Sequence, residues 1–108
     1  MPQKASTSFK KPKGLAKIEL TGELDMYSVK NLREELLEFL QGHQADLKVV
    51  QVHMAGVSEL DSSGIALLAH IQKKANEMGA KLTVHQPNPK IRRLFDLGFI
   101  DAMFEVVD

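Results

Sequence analysis

Leu47-Lys48-Val49-Val50-Gln51-Val52-His53-Met54, a loop from Gly56 through Leu60, and then Asp61-Ser62-Ser63-Gly64-Ile65 read in order as strand, loop and helix start. The first segment is β-branched and partly alternating, which suits a strand. Beyond Asp61-Ser62-Ser63-Gly64, the residues Ile65, Leu68, Ile71, Ala75 and Met78 recur at helical spacing until Gly79. Outward from this unit the pattern repeats. Upstream, Leu15 to Leu20 alternates from Ala16 on, Thr21-Gly22-Glu23-Leu24-Asp25 reads as a loop, and Ser28 opens a helix. Val29, Leu32, Leu36, Leu37 and Leu40 form its apolar face, Glu34, Glu35 and Glu38 point outward, and Gly42 is a stop. Downstream, Lys81-Leu82-Thr83-Val84-His85 is a third strand. Asn88-Pro89 starts a helix with Ile91, Leu94 and Phe95 inward and Gly98 at its end, and Met103 to Val107 supplies a last strand.

Strands that alternate with helices need crossover connections and hence a largely parallel sheet. The expected fold is a single α/β domain: a mixed, mostly parallel β-sheet carrying about three helices, over residues 9–108. Residues 1–8 read as a flexible start. Phe9 and Lys10-Lys11-Pro12-Lys13-Gly14 predict a short strand and turn, adding an antiparallel edge. An uncovered sheet edge permits weak dimerisation.

The chain has 108 residues, room for one domain and one core. Lys plus Arg and Asp plus Glu both number 14, so no net charge draws the chain to nucleic acid or an anionic membrane. The absence of cysteine excludes disulfides, thiolate metal sites and cysteine nucleophiles. The apolar run near Ile65 to Ala69 is too short to span a bilayer. The start leads into no apolar stretch, so no signal peptide and a cytoplasmic location are expected. No metal or cofactor is expected: His53 and His85 can approach one another near strand ends, but no carboxylate or cysteine completes a ligand set. His43 reads as a loop residue and His70 as a helix-face residue. Ser62 has Asp61 beside it, yet no histidine has a claim to its side, so an enzyme is not expected.

The chemistry concentrates at Asp61-Ser62-Ser63-Gly64. The first N–H groups of a helix lack internal partners, and the helix dipole adds partial positive charge. Asp or Ser there is first of all a plain N-cap. Two further features count for more. The motif offers two hydroxyls where one cap suffices, and Glu59 stands where an apolar residue could have anchored the loop. A phosphoryl group on Ser62 would add roughly −1.5 to −2 charges beside Asp61 and Glu59, changing the surface charge without unfolding the domain.

With Leu20-Thr21-Gly22-Glu23-Leu24-Asp25 and Val57-Ser58-Glu59-Leu60-Asp61-Ser62-Ser63-Gly64-Ile65, and with Gly79, Asn88-Pro89 and Arg92-Arg93-Leu94-Phe95 in register, the chain resembles a STAS domain. Within that fold it is most similar to the bacterial anti-sigma factor antagonists, over roughly Phe9 to Val107. The resemblance implies partner switching. The unphosphorylated antagonist binds a GHKL-type anti-sigma serine kinase, phosphorylation of the Ser after the Asp (here Ser62) breaks the complex, and a PP2C-type phosphatase restores it. It implies that Asp25 lies near the docking surface and that Ser63 and Gly64 shape the helix start. With the outward edge of that helix and the loops around Asp25 and Glu59 taken as the docking face, Asp25, Glu59, Asp61, Ser62, Ser63 and Gly64 are the expected partner-binding residues. The sequence departs from the family at His53, where an Asp is usual, at Glu59, and in Leu97-Gly98-Phe99, one residue short. The alternative is a constitutive docking subunit of a phospholipid-transport ABC system, similar through Val57-Ser58, Asp61, Gly64, Ala66-Leu67-Leu68 and His70, where the hydroxyl need not be modified. Neither reading involves nucleic acid or direct membrane insertion.

Overall fold

Alternation along the chain divides its side chains between two surfaces. Ala16, Ile18 and Leu20 are buried, as are Val50, Val52 and Met54 and then Leu82 and Val84. Lys17, Glu19, Gln51, His53, Thr83 and His85 occupy the intervening positions and are only partly covered or exposed. The computed structural model describes residues 4–97 and 104–107. Its elements are β1 (Lys4–Lys10), β2 (Leu15–Leu24), α1 (Val29–Gly42), β3 (Val49–Leu60), α2 (Ser62–Glu77), β4 (Lys81–His85), α3 (Pro89–Leu97) and β5 (Glu105–Val107), with a 3-10 turn, Lys11–Lys13, between β1 and β2. The five strands lie in the sheet in chain order. β1 runs antiparallel to β2, and every later neighbour is parallel. Each parallel step is crossed by one helix, as parallel pairing requires.

The buried face of the sheet meets Leu32, Leu36 and Leu40 of α1, Leu67, Leu68, Ile71 and Ala75 of α2, and Ile91 and Phe95 of α3 in one core. Each fully buried Leu, Ile or Phe among them stabilises the fold by roughly 1.5–3 kcal/mol relative to exposure. At the β1–β2 turn Gly14 has a φ of 61°, and a Cβ there would stand 2.5 Å from the Asp46 carbonyl oxygen. Only glycine suits both the left-handed backbone and that approach. His43, at the end of α1, stacks on Phe9 at 4.0 Å and meets the edge of Phe39, pinning the helix to β1.

Three boundaries differ from the sequence expectation. β1 begins at Lys4 and not at Phe9: residues 4–10 pair with Leu15 to Thr21, with Ala5 and Phe9 turned to the core. Backbone pairing carries a strand whose side chains are largely serine and threonine. Thr21 to Leu24 and Gly56 to Leu60, read as loops, extend β2 and β3. Register shifts between Glu19 and Thr21 and between Gly22 and Glu23 insert extra residues. In β3 the buried positions accordingly change from every second residue to Met54, Val57 and Leu60, so the period-two signal vanishes although the pairing persists. Gly98 and Met103 lie outside the described residues, as does Phe99.

On the outer face the His53 and His85 rings stack at 4.5 Å on adjacent strands, where the two residues are register partners. His53 donates to Gln51 Oε1 at 3.1 Å, and His85 shares a hydrogen bond of 2.8 Å with Thr83 Oγ1. Burial, the neighbouring His85 and Lys17 hold His53 below the ordinary 6.5, against the opposing pull of Glu19. Burial likewise lowers His85, opposed by Glu105. Those acids are themselves paired, Glu19 with Lys17 and Glu105 with Lys81. Because the folded chain disfavours protonation of both rings, the unfolded chain takes up more protons just below the ordinary value, and stability is lost as the pH falls through it. The melting temperature is expected to drop between about pH 7 and about pH 5.5 more steeply in the native chain than in a His53→Gln, His85→Gln variant, which retains every carboxylate. Parallel melting curves in the two proteins would remove this role.

Candidate functional site

The parallel strands β2 and β3 end side by side, with Leu24 and Leu60 as register partners. Loops and helix starts that follow parallel strands gather at this edge, where open α/β sheets bind their ligands. Asp61 leaves β3 in an extended conformation and caps α2: its Oδ1 accepts from Ser63 N at 2.8 Å and Gly64 N at 3.2 Å. Such a cap stabilises by about 1 kcal/mol. The Asp61 N–H donates to the Leu24 carbonyl at 3.2 Å, tying the cap to β2. Ser62 is the first residue of the helix and is exposed, and its hydroxyl has no hydrogen-bond partner among the described residues. Ser63 is half-buried and Gly64 buried.

Asp25 braces the turn that leads into α1, whose cap position is Ser28. Its Oδ1 accepts from Tyr27 N at 3.0 Å and Ser28 N at 3.1 Å, while Ser28 Oγ accepts from Asp25 N at 3.1 Å. Ser28 also donates to backbone carbonyls of Glu23 or Asp25 and is almost wholly buried. Asp25 is thus half-buried and committed first to holding its own loop. Glu59 is exposed and joined to Lys90 of α3 at 2.7 Å. Asn88 fastens the same region: its Nδ2 donates to the Val57 carbonyl at 3.0 Å and its Oδ1 accepts from Ile91 N at 2.8 Å. Asp25, Glu59 and Asp61 converge, with Glu23, on one shallow cleft of about 370 Å³. Beside it, Val29, Arg33, Ser63, Ala66, Leu67 and His70 line a second hollow of about 400 Å³ between α1 and α2.

Among the described residues no three His, Asp or Glu side chains are placed to hold a metal ion. No described helix is long and apolar enough to cross a membrane.

A family model described as Mlab, STAS domain, matches residues 8–106. The anti-sigma-B factor antagonist of Staphylococcus epidermidis is 36% identical over 87 residues, which are 80% of this chain and 78% of that protein. The chain is a STAS domain of the anti-sigma factor antagonist family. Its fold is also that of an anti-sigma factor antagonist from Mycobacterium paratuberculosis, with a TM-score of 0.77 at 20% identity over 98% of this chain and 86% of that one. The Bacillus cell fate determinant SpoIIAA in its phosphorylated form gives 0.71 at 18% identity, over 97% of this chain and 92% of that one.

In this STAS domain the six residues singled out from sequence all lie at one edge of the sheet, in three different states. Ser62 is open to solvent, Glu59 and Asp61 are exposed but bonded, and Asp25, Ser63 and Gly64 are progressively enclosed. Two neighbours deserve equal weight. Met26 is 64% exposed and Tyr27 85%, the largest apolar side chains so displayed beside the junction. Two large apolar residues in a turn, with no periodic partner, are a legible sequence sign of a docking patch.

Proposed function

We propose that this protein is an anti-sigma factor antagonist that binds a GHKL-type serine kinase through the α2 N-terminal edge and is released when that kinase phosphorylates Ser62. The observation that carries the reading is the exposed, unbonded hydroxyl of Ser62 at the first position of a well-capped helix. The kinase would transfer the γ-phosphoryl group of ATP to Ser62 Oγ, releasing ADP, with the hydroxyl proton passing to a base on the kinase. The helix N-terminus tolerates the added charge. The partner, which must press on Ser62 and on the Met26–Tyr27 patch together, meets two new negative charges beside Asp61 and Glu59. A PP2C-type phosphatase would reverse the step, and the relative solved in a phosphorylated form supports a covalent switch on this fold. The protein itself acts by binding, without catalysis, in the cytoplasm.

The test is incubation of the purified chain with its cognate kinase and ATP, followed by mass-spectrometric mapping. One phosphate on Ser62 is expected, and none on Ser62→Ala. Phosphate on Ser63 alone would move the site. No phosphate at all would favour the second reading, a constitutive docking subunit such as that of a phospholipid-transport ABC system. That reading is retained because the matching family model carries a description, Mlab, other than that of the antagonists.

A further inference from the structure

The hollow beside Ser63 does not end at the junction. Arg33 and His70 also line an adjoining hollow of about 570 Å³ that continues along α1 and α2 to Leu37 and Glu77. Together they form one groove from Ser63 to Glu77, roughly 20 Å long at 1.5 Å per helical residue. Its floor is apolar, built from Val29, Leu37, Ala66 and Leu67. Its rim is basic: Arg33, Lys73 and Lys74 stand there with His70, against Glu77 alone. Arg33, Lys73 and Lys74 have no ion-pair partner among the described residues. In a chain of zero net charge this is a local excess of positive charge, laid along apolar surface.

We infer that the α1–α2 groove is a docking site for an acidic amphipathic helix of the partner protein. Three features select that occupant. Both walls are helices whose backbone groups are already bonded within the helix, so the groove offers no edge for strand addition, and an occupant must satisfy its own backbone. A third helix laid between two packed helices does so while burying an apolar stripe. The unpaired cations then require carboxylates on the occupant's flanks. The inference rests on the antagonist reading only in assigning the helix to the kinase. It adds a second contact that runs away from Ser62, so that phosphorylation strikes one end of an extended interface.

A displayed library of helical peptides of about 14 residues tests this, with leucine fixed at i, i+3, i+4 and i+7 and Asp, Glu, Lys or Arg random on the flanks. Selection on the full chain is expected to enrich Asp and Glu. Enriched peptides should perturb the amide signals of Val29, Leu37 and Ala66, and Arg33→Glu with Lys73→Glu should weaken them roughly tenfold or more. Lys73→Glu alone, at an exposed position, should give a smaller loss in the same direction and keeps the test readable if the double variant unfolds. Enrichment of basic flanks, no enrichment, equal binding by heparin, or indifference to charge reversal would each overturn the inference. The selection uses no kinase and no phosphate, so it succeeds or fails independently of Ser62.

Discussion

Ser62→Asp should leave the fold intact and weaken binding to the proposed serine kinase about a hundredfold. The two halves of this result have separate causes. For the fold, position 62 is the first residue of α2, and its side chain is exposed. A carboxylate in the first turn is stabilised by the helix dipole by roughly 0.3–1 kcal/mol, so no loss of melting temperature is expected. For binding, the new charge sits at the patch a partner must cover, beside Asp61 and Glu59. Like charges brought together across an interface cost several kcal/mol, and about 2.8 kcal/mol is a hundredfold. Ser62→Ala should bind as the native chain does. Isothermal titration of the three proteins with the kinase, alongside thermal melts, separates the outcomes. If Ser62→Asp binds as tightly as the native chain, charge is not the switch. If it melts well below the native chain, its binding says nothing about phosphorylation.

Gly64→Val carries the largest expected effect on stability, a loss of about 3 kcal/mol. A Cβ at Gly64 would collide with Leu60 Cδ1 and stand 3.1 Å from both Cβ and the carbonyl oxygen of Leu24. The Leu60 methyl can swing aside, but the Leu24 backbone is held in the sheet and accepts from Asp61 N. Alanine at this position would regain about 1 kcal/mol of helix propensity, which offsets part of the crowding. Valine regains less and adds two methyl groups to the same space. Against a typical domain stability of roughly 5–15 kcal/mol, the valine variant should show a clearly lower urea midpoint and a smaller loss should appear for alanine. A valine variant as stable as the native chain would mean that α2 can lift from β2, and with it that the junction is not rigid.

The order and type of the elements were legible because apolar spacing was clean in most of them. The bounds of β4 follow from its alternation, and Asn88 before Pro89 marks a helix cap that its bond to Ile91 N bears out. What failed had a common cause. Thr21 to Leu24 keeps the two-residue rhythm but carries a glycine, Gly22, that reads as a turn. Gly56 to Leu60 loses the rhythm at the register shifts, and Ser6-Thr7-Ser8 never has it. In both cases pairing with a neighbouring strand, which leaves no mark on local composition, decided the outcome. The site residues were found because a helix start is a local event written in adjacent letters. The groove was not, since Arg33 and His70 meet only through the crossing of two helices far apart in sequence. Asp25 was placed correctly in space, but its main occupation, bracing the α1 entry with Ser28, depends on bonds that spacing alone does not specify.

The strands stand in the sheet in the order of the chain itself. Each strand emerging from a ribosome therefore finds its partner already made and waiting at the growing edge. No early strand is held open for a late one, and no segment must thread between two others. A nascent fragment ending after His85 already contains every described strand pairing but the last, together with the Asp61 cap of α2, and lacks only the Asn88 and Lys90 contacts to the β3 end.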